Sequence, residues 1–394
     1  MFDFDIIVIG KGLVGSAAAK HLSGKNKSVA VIGADEPKEN ESSLVYASHY
    51  DQARVQRIIG KDNVWTRLNF DSSLQYESIQ KKSDIKFHYG VGCLYVNRYG
   101  QDHYLKAFSA VAQNYNIKYR LFEPTKNNQF ENLNFPEQAL GVIEDYPSGY
   151  INPRLLLKAQ LKIFKLQGGT TFSDTVIKLS VKKNSRFLLE TESGKIFSAT
   201  KVLIATGSFI NQFNLLPQKL KLITKSEVVL LVKIEEKLLA KYNSLPSLLY
   251  EIDENEVEGI YLIPPVKYPD GNYYLKIGAN SPHDLFFDNL EQIQEWFRNT
   301  NSEKFAPALC KALKKLLPSL NIENMVTKKC VISRTATGRP YIGETSMKNL
   351  YLAGGCNGYS AMCSEAIGGV AASFILNNKF PDNYPRNAFN IEYI

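Results

Sequence analysis

The residues whose types and spacing best suit chemistry are three glycines near the start: Gly10, Gly12 and Gly15, in Gly-Lys-Gly-Leu13-Val14-Gly. Such spacing alone is a weak signal. Here it follows the apolar run Asp5-Ile-Ile-Val-Ile9 and opens the small-residue stretch Ser16–Leu22, a strand–turn–helix context. In that context each glycine has a task. Gly10 permits a tight turn, Gly12 lets the backbone approach a diphosphate, and Gly15 allows close packing of helix on strand. The helix amino terminus, with unpaired N–H groups and a partial positive charge, would hold the phosphates. An acid that binds the ribose hydroxyls is expected to end the next strand, but Gly33 stands there, followed by Asp35 and Glu36. The ribose contact is therefore expected from Asp35 on a shifted loop or from a backbone group.

The motif admits NAD or FAD, and two later segments favour FAD. Val202-Leu-Ile-Ala-Thr206-Gly207 is an apolar strand running into glycine, suited to return beneath a dinucleotide. Ala353-Gly-Gly355-Cys-Asn357-Gly358 precedes a second helical stretch, Ala366–Leu376, whose amino terminus could stabilise negative charge on a reduced isoalloxazine ring. Other chemistries find little support. The histidines at 21, 49, 88, 103 and 283 lack HxxxH or HExxH spacing, so no metal is expected, and no GxSxG elbow is present. The five cysteines (93, 310, 330, 356 and 363) are odd in number and show no CxxC pair, which fits free thiols in a reducing cytoplasm.

These sites need elements to hold them. Asp5–Ile9, the helix after Gly12 and Ser28–Ile32 make a βαβ unit of the expected size. Residues 151–168 form an amphipathic helix, 170–178 a strand, 186–197 a hairpin about Ser193-Gly194, and 201–207 a buried strand. Helices are expected near 290–300 and 303–317, and a strand at 349–353. The texture loosens between 83 and 145 and again from 216 to 337. The fold class expected is α/β: a Rossmann-like FAD-binding domain with a doubly wound parallel sheet, interleaved with an α+β substrate domain on a large mixed sheet. Residues 1–82, 150–215 and 338–394 are assigned to the first, and 83–149 and 216–337 to the second.

Composition agrees with a globular protein: 394 residues, 44% hydrophobic and 22% charged. No apolar run approaches the ~18 residues of a membrane span, and the start lacks the features of a signal peptide, so neither membrane insertion nor secretion is expected. The net charge of +8 comes from scattered lysines rather than a basic arm, so no nucleic-acid partner is expected.

Taken together, the residues resemble the D-amino-acid-oxidase superfamily of FAD enzymes, nearest to the branch of monomeric sarcosine oxidase and N-methyltryptophan oxidase. Four stretches carry most of the resemblance: Gly10–Gly15; Ser48-His49-Tyr50-Asp-Gln-Ala-Arg54-Val-Gln-Arg57; Gly259–Tyr261 on to Leu275–Gly278; and Cys330–Gly358. Gly149–Leu156 is also typical. The resemblance implies FAD contacts at Gly10, Gly12, Leu13, Val14, Gly15, Asp35, Ser48, His49, Arg54, Val176, Thr206, Gly207, Cys330, Gly355, Asn357 and Gly358. Arg57 would hold a substrate carboxylate, Tyr50 stands where the sarcosine oxidase pattern has histidine, and Lys276 matches a lysine over the flavin that speeds reaction with oxygen. Cys330 matches the cysteine bonded to the 8α-methyl group in this branch, with Lys328 and Lys329 available to favour a thiolate. Other members lack that cysteine and hold FAD noncovalently. Two departures leave the substrate open: Met362 replaces a carboxylate-clamping lysine, and Leu262 replaces an aromatic residue after Tyr261. The arginine that D-amino-acid and glycine oxidases carry after position 330 is absent from Val331-Ile332-Ser333.

The expected activity is oxidation of the C–N bond of a small amine or amino acid, with electrons passing to oxygen or another acceptor. The alternatives are a dehydrogenase of a 2-hydroxy acid or amine using a quinone or protein acceptor, and a flavin-containing assembly protein without turnover.

Overall fold

The computed structural model describes residues 1–38, 41–126, 128–182 and 185–394. Its first sheet has at its centre the strand Phe2–Ile9, flanked in parallel by Val29–Gly33 and Ile196–Ile204. Thr170–Ser173 extends the sheet on one side and Leu350–Gly354 on the other, both also parallel. The opening strand shows why its run is wholly apolar. Ile6 and Val8 enter one core while Ile7 and Ile9 enter the other, as the two-residue period of a strand requires. Four helices share the first of these cores: Leu13–Leu22, Asn63–Ser83, Pro153–Leu166 and Ser360–Asn377.

Three expectations from sequence change in detail. The run 170–178 divides into Thr170–Ser173 and Val176–Val181, at opposite edges of the sheet. Residues 187–191 and 196–204 form the expected hairpin, but the second arm continues without a break into the strand that approaches Gly207. The late helix begins at Ser360 rather than 366, so it starts just after Gly358. The helix 63–83 shows only weak amphipathic spacing. It is set by Asp62, whose carboxylate caps the Trp65 N–H at 2.9 Å, and by burial of Trp65, Leu68, Tyr76 and Ile79.

A second, mixed sheet of nine strands runs from Phe286–Phe287 through Leu222–Ile234, Tyr273–Asn280, Val257–Lys267 and Ser247–Glu254 to Cys93–Asn97, Leu140–Glu144 and Tyr119–Phe122. Met325–Thr335 pairs with Leu222–Ile234 off this path. One face is apolar: Val228, Leu230, Val232, Leu262, Leu275 and Ile277 pack with the helices Leu290–Arg298 and Ala306–Leu316. The alternate residues Lys225, Glu227, Tyr261 and Lys276 therefore face the other way. A short antiparallel sheet of Arg54–Gln56, Gly149–Ile151 and His88–Tyr89 lies between the two large ones in sequence.

Candidate active site

A cavity of about 430 Å³ is lined by both large sheets, from Gly10 and Gly12 at one extreme of the sequence to Met362 at the other. Gly10 sits at φ +105°, and a Cβ there would lie 2.3 Å from the Ala205 carbonyl oxygen, so only glycine closes this turn. At Gly15 a Cβ would strike the Gly10 carbonyl at 1.9 Å. These glycines let the helix Leu13–Leu22 start against the strand ends with its first N–H groups beside the cavity. The helix Ser360–Asn377 also begins at the lining, through Gly358, Tyr359 and Ser360. Two helix amino termini thus favour negative charge in one cavity.

Gly33 has its own explanation. A Cβ there would meet the Lys11 backbone nitrogen at 2.3 Å, so the strand end yields to the glycine turn. Asp35 lies beyond it, outside the lining, and accepts from Lys11 Nζ at 2.5 Å; Lys11 also reaches Ser173 Oγ at 2.9 Å. The acid expected on a ribose is paired with a lysine inside the glycine motif, a partner that the motif's spacing does not flag.

Leu13, Val14, Ser48, His49, Tyr50, Arg54, Arg57, Val176, Thr206, Gly207, Cys330, Gly355, Asn357 and Gly358 all line this cavity; Gly15, Asp35 and Lys276 do not. The segment 48–57 is pinned from several sides. Ser48 Oγ donates to the Val331 carbonyl at 2.9 Å, tying the segment to the strand of Cys330. Arg54 donates to Asp51 and, at 3.1 Å, to the Ser48 carbonyl. Burial holds the pKa of His49 down to about 4, so its imidazole is neutral at pH 7.

Tyr50 is separated from Arg57 in its contacts. Its hydroxyl donates to the Asp35 carbonyl at 3.2 Å, among Asp35, Glu36 and Arg154, and burial raises its pKa to about 12. These contacts place the Tyr50 hydroxyl beside the segment that follows Gly33. Arg57 is 9% exposed and stacks over Tyr104 at 5.2 Å. Its Nε and Nη1 have no hydrogen-bond partner, although guanidinium N–H groups are rarely left so when buried. Glu144 holds the backbone beside it, accepting from the N–H groups of Ile58 (2.7 Å) and Ile59 (3.1 Å) and from Ser148 Oγ (2.6 Å).

Lys276 is 1% exposed and stands one layer behind the lining. Nζ donates to Asp51 Oδ2 at 3.0 Å and to the Ala53 carbonyl, and lies 5.5 Å from the centroid of Tyr261, which does line the cavity. Burial pushes its pKa down, as does the nearby Arg54. Asp51 also accepts from Tyr268 at 2.6 Å, so Lys276 belongs to a closed polar cluster. Of the two lysines beside Cys330, Lys329 is tied to the carbonyls of Phe297 (2.6 Å) and Thr300 (3.1 Å), on the opposite side of the strand, and cannot assist the thiol. Lys328 lies over the Tyr268 ring.

The residues present fit FAD. Thr206 Oγ1, the two Arg57 nitrogens and Glu227 Oε2 are buried polar atoms without a hydrogen bond in one lining that starts at a glycine cradle. Residues 5–374 match the model of the FAD-dependent oxidoreductase (DAO) family. The chain belongs to this family. As a member of the DAO family it takes FAD as its cofactor. A curated relative, the N-methyl-L-tryptophan oxidase of Yersinia pestis (strain Pestoides F), is 24% identical over 215 residues, 53% of this chain and 55% of the relative. The chain thus matches about half the length of such curated relatives. Among solved structures, NikD, an unusual amino acid oxidase essential for nikkomycin biosynthesis, superposes with a TM-score of 0.79 at 14% identity, covering 100% of this chain and 98% of NikD. Glycine oxidase from Geobacillus kaustophilus gives 0.74 at 17% identity over 99% of each chain. L-proline dehydrogenase from P. horikoshii gives the same score and identity over 99% and 97%. These likenesses show a shared DAO fold.

Sequence reasoning missed Lys11, Asp51, Glu144 and Glu227. Glu227 had a faint signal: Lys225 and Glu227 alternate with Ser226 and Val228 just before the apolar run Val228–Val232, a pattern equally suited to a solvated face.

Proposed function

We propose that this DAO-family chain oxidises the C–N bond of an amine or amino acid bearing a carboxylate. The observation that carries this is the buried Arg57 guanidinium, with two unpartnered N–H-bearing nitrogens in the cavity that begins at Gly10–Gly15. Glu144 and Glu251 offset the Arg57 charge from a distance but leave these donors unmet, and an anionic substrate group would satisfy them through charge-assisted hydrogen bonds. FAD, when bound, supplies acceptance of a hydride from the carbon beside nitrogen.

The chain's own residues bind and orient. Arg57 fixes the carboxylate, Glu144 fixes the backbone that carries Arg57, and Tyr359 and Met362 close the apolar wall. With Met362 in place of a lysine, the carboxylate has one clamping cation rather than two. Lys276, behind Tyr261, acts on oxygen through that layer. Its pairing with Asp51 also supports a second reading, in which another acceptor takes the electrons. The nucleotide lobe is taken as residues 1–82, 150–215 and 338–394, supported by the first large sheet. A covalent bond between Cys330 and the flavin 8α-methyl belongs to the same reading, supported by the half-buried thiol in the lining. Five unpaired cysteines support a reducing, cytoplasmic setting. Among the described residues no helix is long and apolar enough to cross a membrane.

Anaerobic bleaching of the yellow protein by a panel of amines, N-methyl amino acids, amino acids and hydroxy acids tests the proposal. Bleaching by carboxylate-bearing amines is expected, with hydrogen peroxide on readmission of air. Bleaching by hydroxy acids alone, or by nothing in the panel, would overturn it.

A further inference from the structure

The strand Leu222–Ile234 carries Glu227 directly opposite Cys330 on the antiparallel strand Met325–Thr335. Directly opposed residues in such a pair share a face, with Cβ atoms about 5 Å apart. Both side chains line the cavity. Glu227 is 9% exposed and its Oε2 makes no hydrogen bond. Lys225 Nζ lies 3.3 Å from that oxygen but is engaged by Asp284, and the Cys330 thiol has only a long contact to the Val331 carbonyl, at 3.6 Å. A buried carboxylate whose one ion-pair partner is shared with Asp284, placed opposite a free thiol in a cavity wall, is a costly arrangement that a purely structural strand pair does not need. No side chain assigned so far to substrate or nucleotide binding accounts for it.

We infer that Glu227 is the base that takes the Cys330 thiol proton, so that the chain attaches its own flavin. This rests on the reading that Cys330 bonds the 8α-methyl carbon. In the step, the Cys330 S–H and one methyl C–H bond break, and the Sγ–C8α bond forms. The two electrons released pass into the flavin ring system, and dioxygen reoxidises it, leaving with both electrons and both protons as hydrogen peroxide. Glu227 relays the thiol proton and is regenerated. A thiol is a poor nucleophile and its thiolate a good one, so a base facing the sulfur sets the rate. Burial raises the pKa of Glu227 to about 7, which brings it closer to that of an ordinary thiol and makes it a better proton acceptor than an exposed carboxylate.

Wild type, Glu227→Gln, Glu227→Asp and Cys330→Ser are purified, incubated aerobically with FAD, and precipitated with acid. Flavin in the pellet and the intact mass are measured, and reversible FAD binding is followed separately by gel filtration. Wild type is expected to gain the mass of FAD and to give a yellow pellet. E227Q is expected to bind FAD reversibly with covalent labelling at least tenfold slower, E227D to recover much of it, and C330S to label not at all. E227Q labelling at the wild-type rate overturns the assignment of the base while leaving the Cys330 bond standing. Loss of reversible FAD binding in both Glu227 variants makes the role one of folding, and also overturns it. Release of all flavin from wild type into the supernatant overturns the Cys330 bond and the base together.

Discussion

Glu365 is the side chain whose removal tests most directly how the cofactor-bearing helices are held together. It lies 1% exposed on the helix Ser360–Asn377 and accepts from Lys20 Nζ at 2.6 Å and from His21 Nε2 at 2.7 Å, both on Leu13–Leu22. It also accepts from Gln160 at 2.9 Å, on the third helix of the same layer, and Gln160 in turn receives Ser16 Oγ at 2.7 Å. Burial alone would raise its pKa; the bonds and charges of His21 and Lys20 outweigh burial and bring it from 4.5 to about 2. At about 1.4 kcal/mol per pKa unit, that corresponds to about 3 kcal/mol of stability. Because the folded value is depressed, this contribution is fully present above pH 4.5 and is lost as the pH falls toward 2. Glu365→Gln keeps the shape but leaves the Lys20 ammonium buried without its counter-ion. At about 2 °C per kcal/mol for a chain of this size, Tm should fall by about 6 °C at pH 7, with weaker FAD retention. The gap between the two proteins should shrink as the pH is lowered from 4.5. Scanning calorimetry across pH 3–7 measures both. A variant within about 1 °C of wild type at pH 7, or a gap that widens with acid, refutes the reasoning.

Three further outcomes follow from the site. Arg57→Leu removes the two free donors proposed to hold a substrate carboxylate, and at about 1.5 kcal/mol for each charge-assisted bond should lower kcat/KM by about a hundredfold for carboxylate-bearing substrates. An equal loss for the matching amines without a carboxylate would assign Arg57 to folding. Lys276→Met should slow reoxidation by oxygen far more than reduction by substrate in stopped-flow traces; equal effects on both halves would remove Lys276 from the oxygen reaction. Tyr50→Phe loses one bond to the Asp35 carbonyl, so it should change kcat and KM less than about twofold, and a tenfold change in KM would return Tyr50 to the substrate pocket.

The fold was legible where a segment's own chemistry decided its form. Asp5–Ile9 is apolar at every position but the first because both faces are covered, and the glycines after it serve a turn that no other residue closes. The late helix was misjudged at its start because Ser360-Ala-Met-Cys-Ser-Glu is held by contacts from 63–83, such as Tyr76 Oη to the Met362 carbonyl at 2.7 Å, rather than by helical periodicity. Most expected lining residues meet in one cavity because three separate strand–glycine segments converge on it. What sequence could not reveal were partnerships across long separations. Lys276 sits 225 residues from Asp51, and Lys11 pairs with Asp35 across 24 residues.

The second sheet explains how one element can be both core and site. Along 222–234 and its neighbours, every other residue feeds the apolar layer under the helices, so the intervening positions are free of that duty. They place Glu227 opposite Cys330, Tyr261 opposite Gly278, and Lys276 between Leu231 and Ile263. A one-residue slip would exchange Lys276 for Leu275 or Ile277 and bury a lysine among the helices, which the core would not tolerate. The hydrophobic face therefore fixes the register of the chemical face. Gly278 completes the argument: a Cβ there would lie 2.4 Å from the Tyr261 hydroxyl, so its absence lets the ring lie flat across the strand between Lys276 and the cavity. The register shifts that bracket Tyr261–Ile263, before Ile260 and after Ile263, end regular pairing on either side of this segment. Bulges near a site re-aim side chains at small cost, and here they flank the residue that separates the buried cation from the cavity.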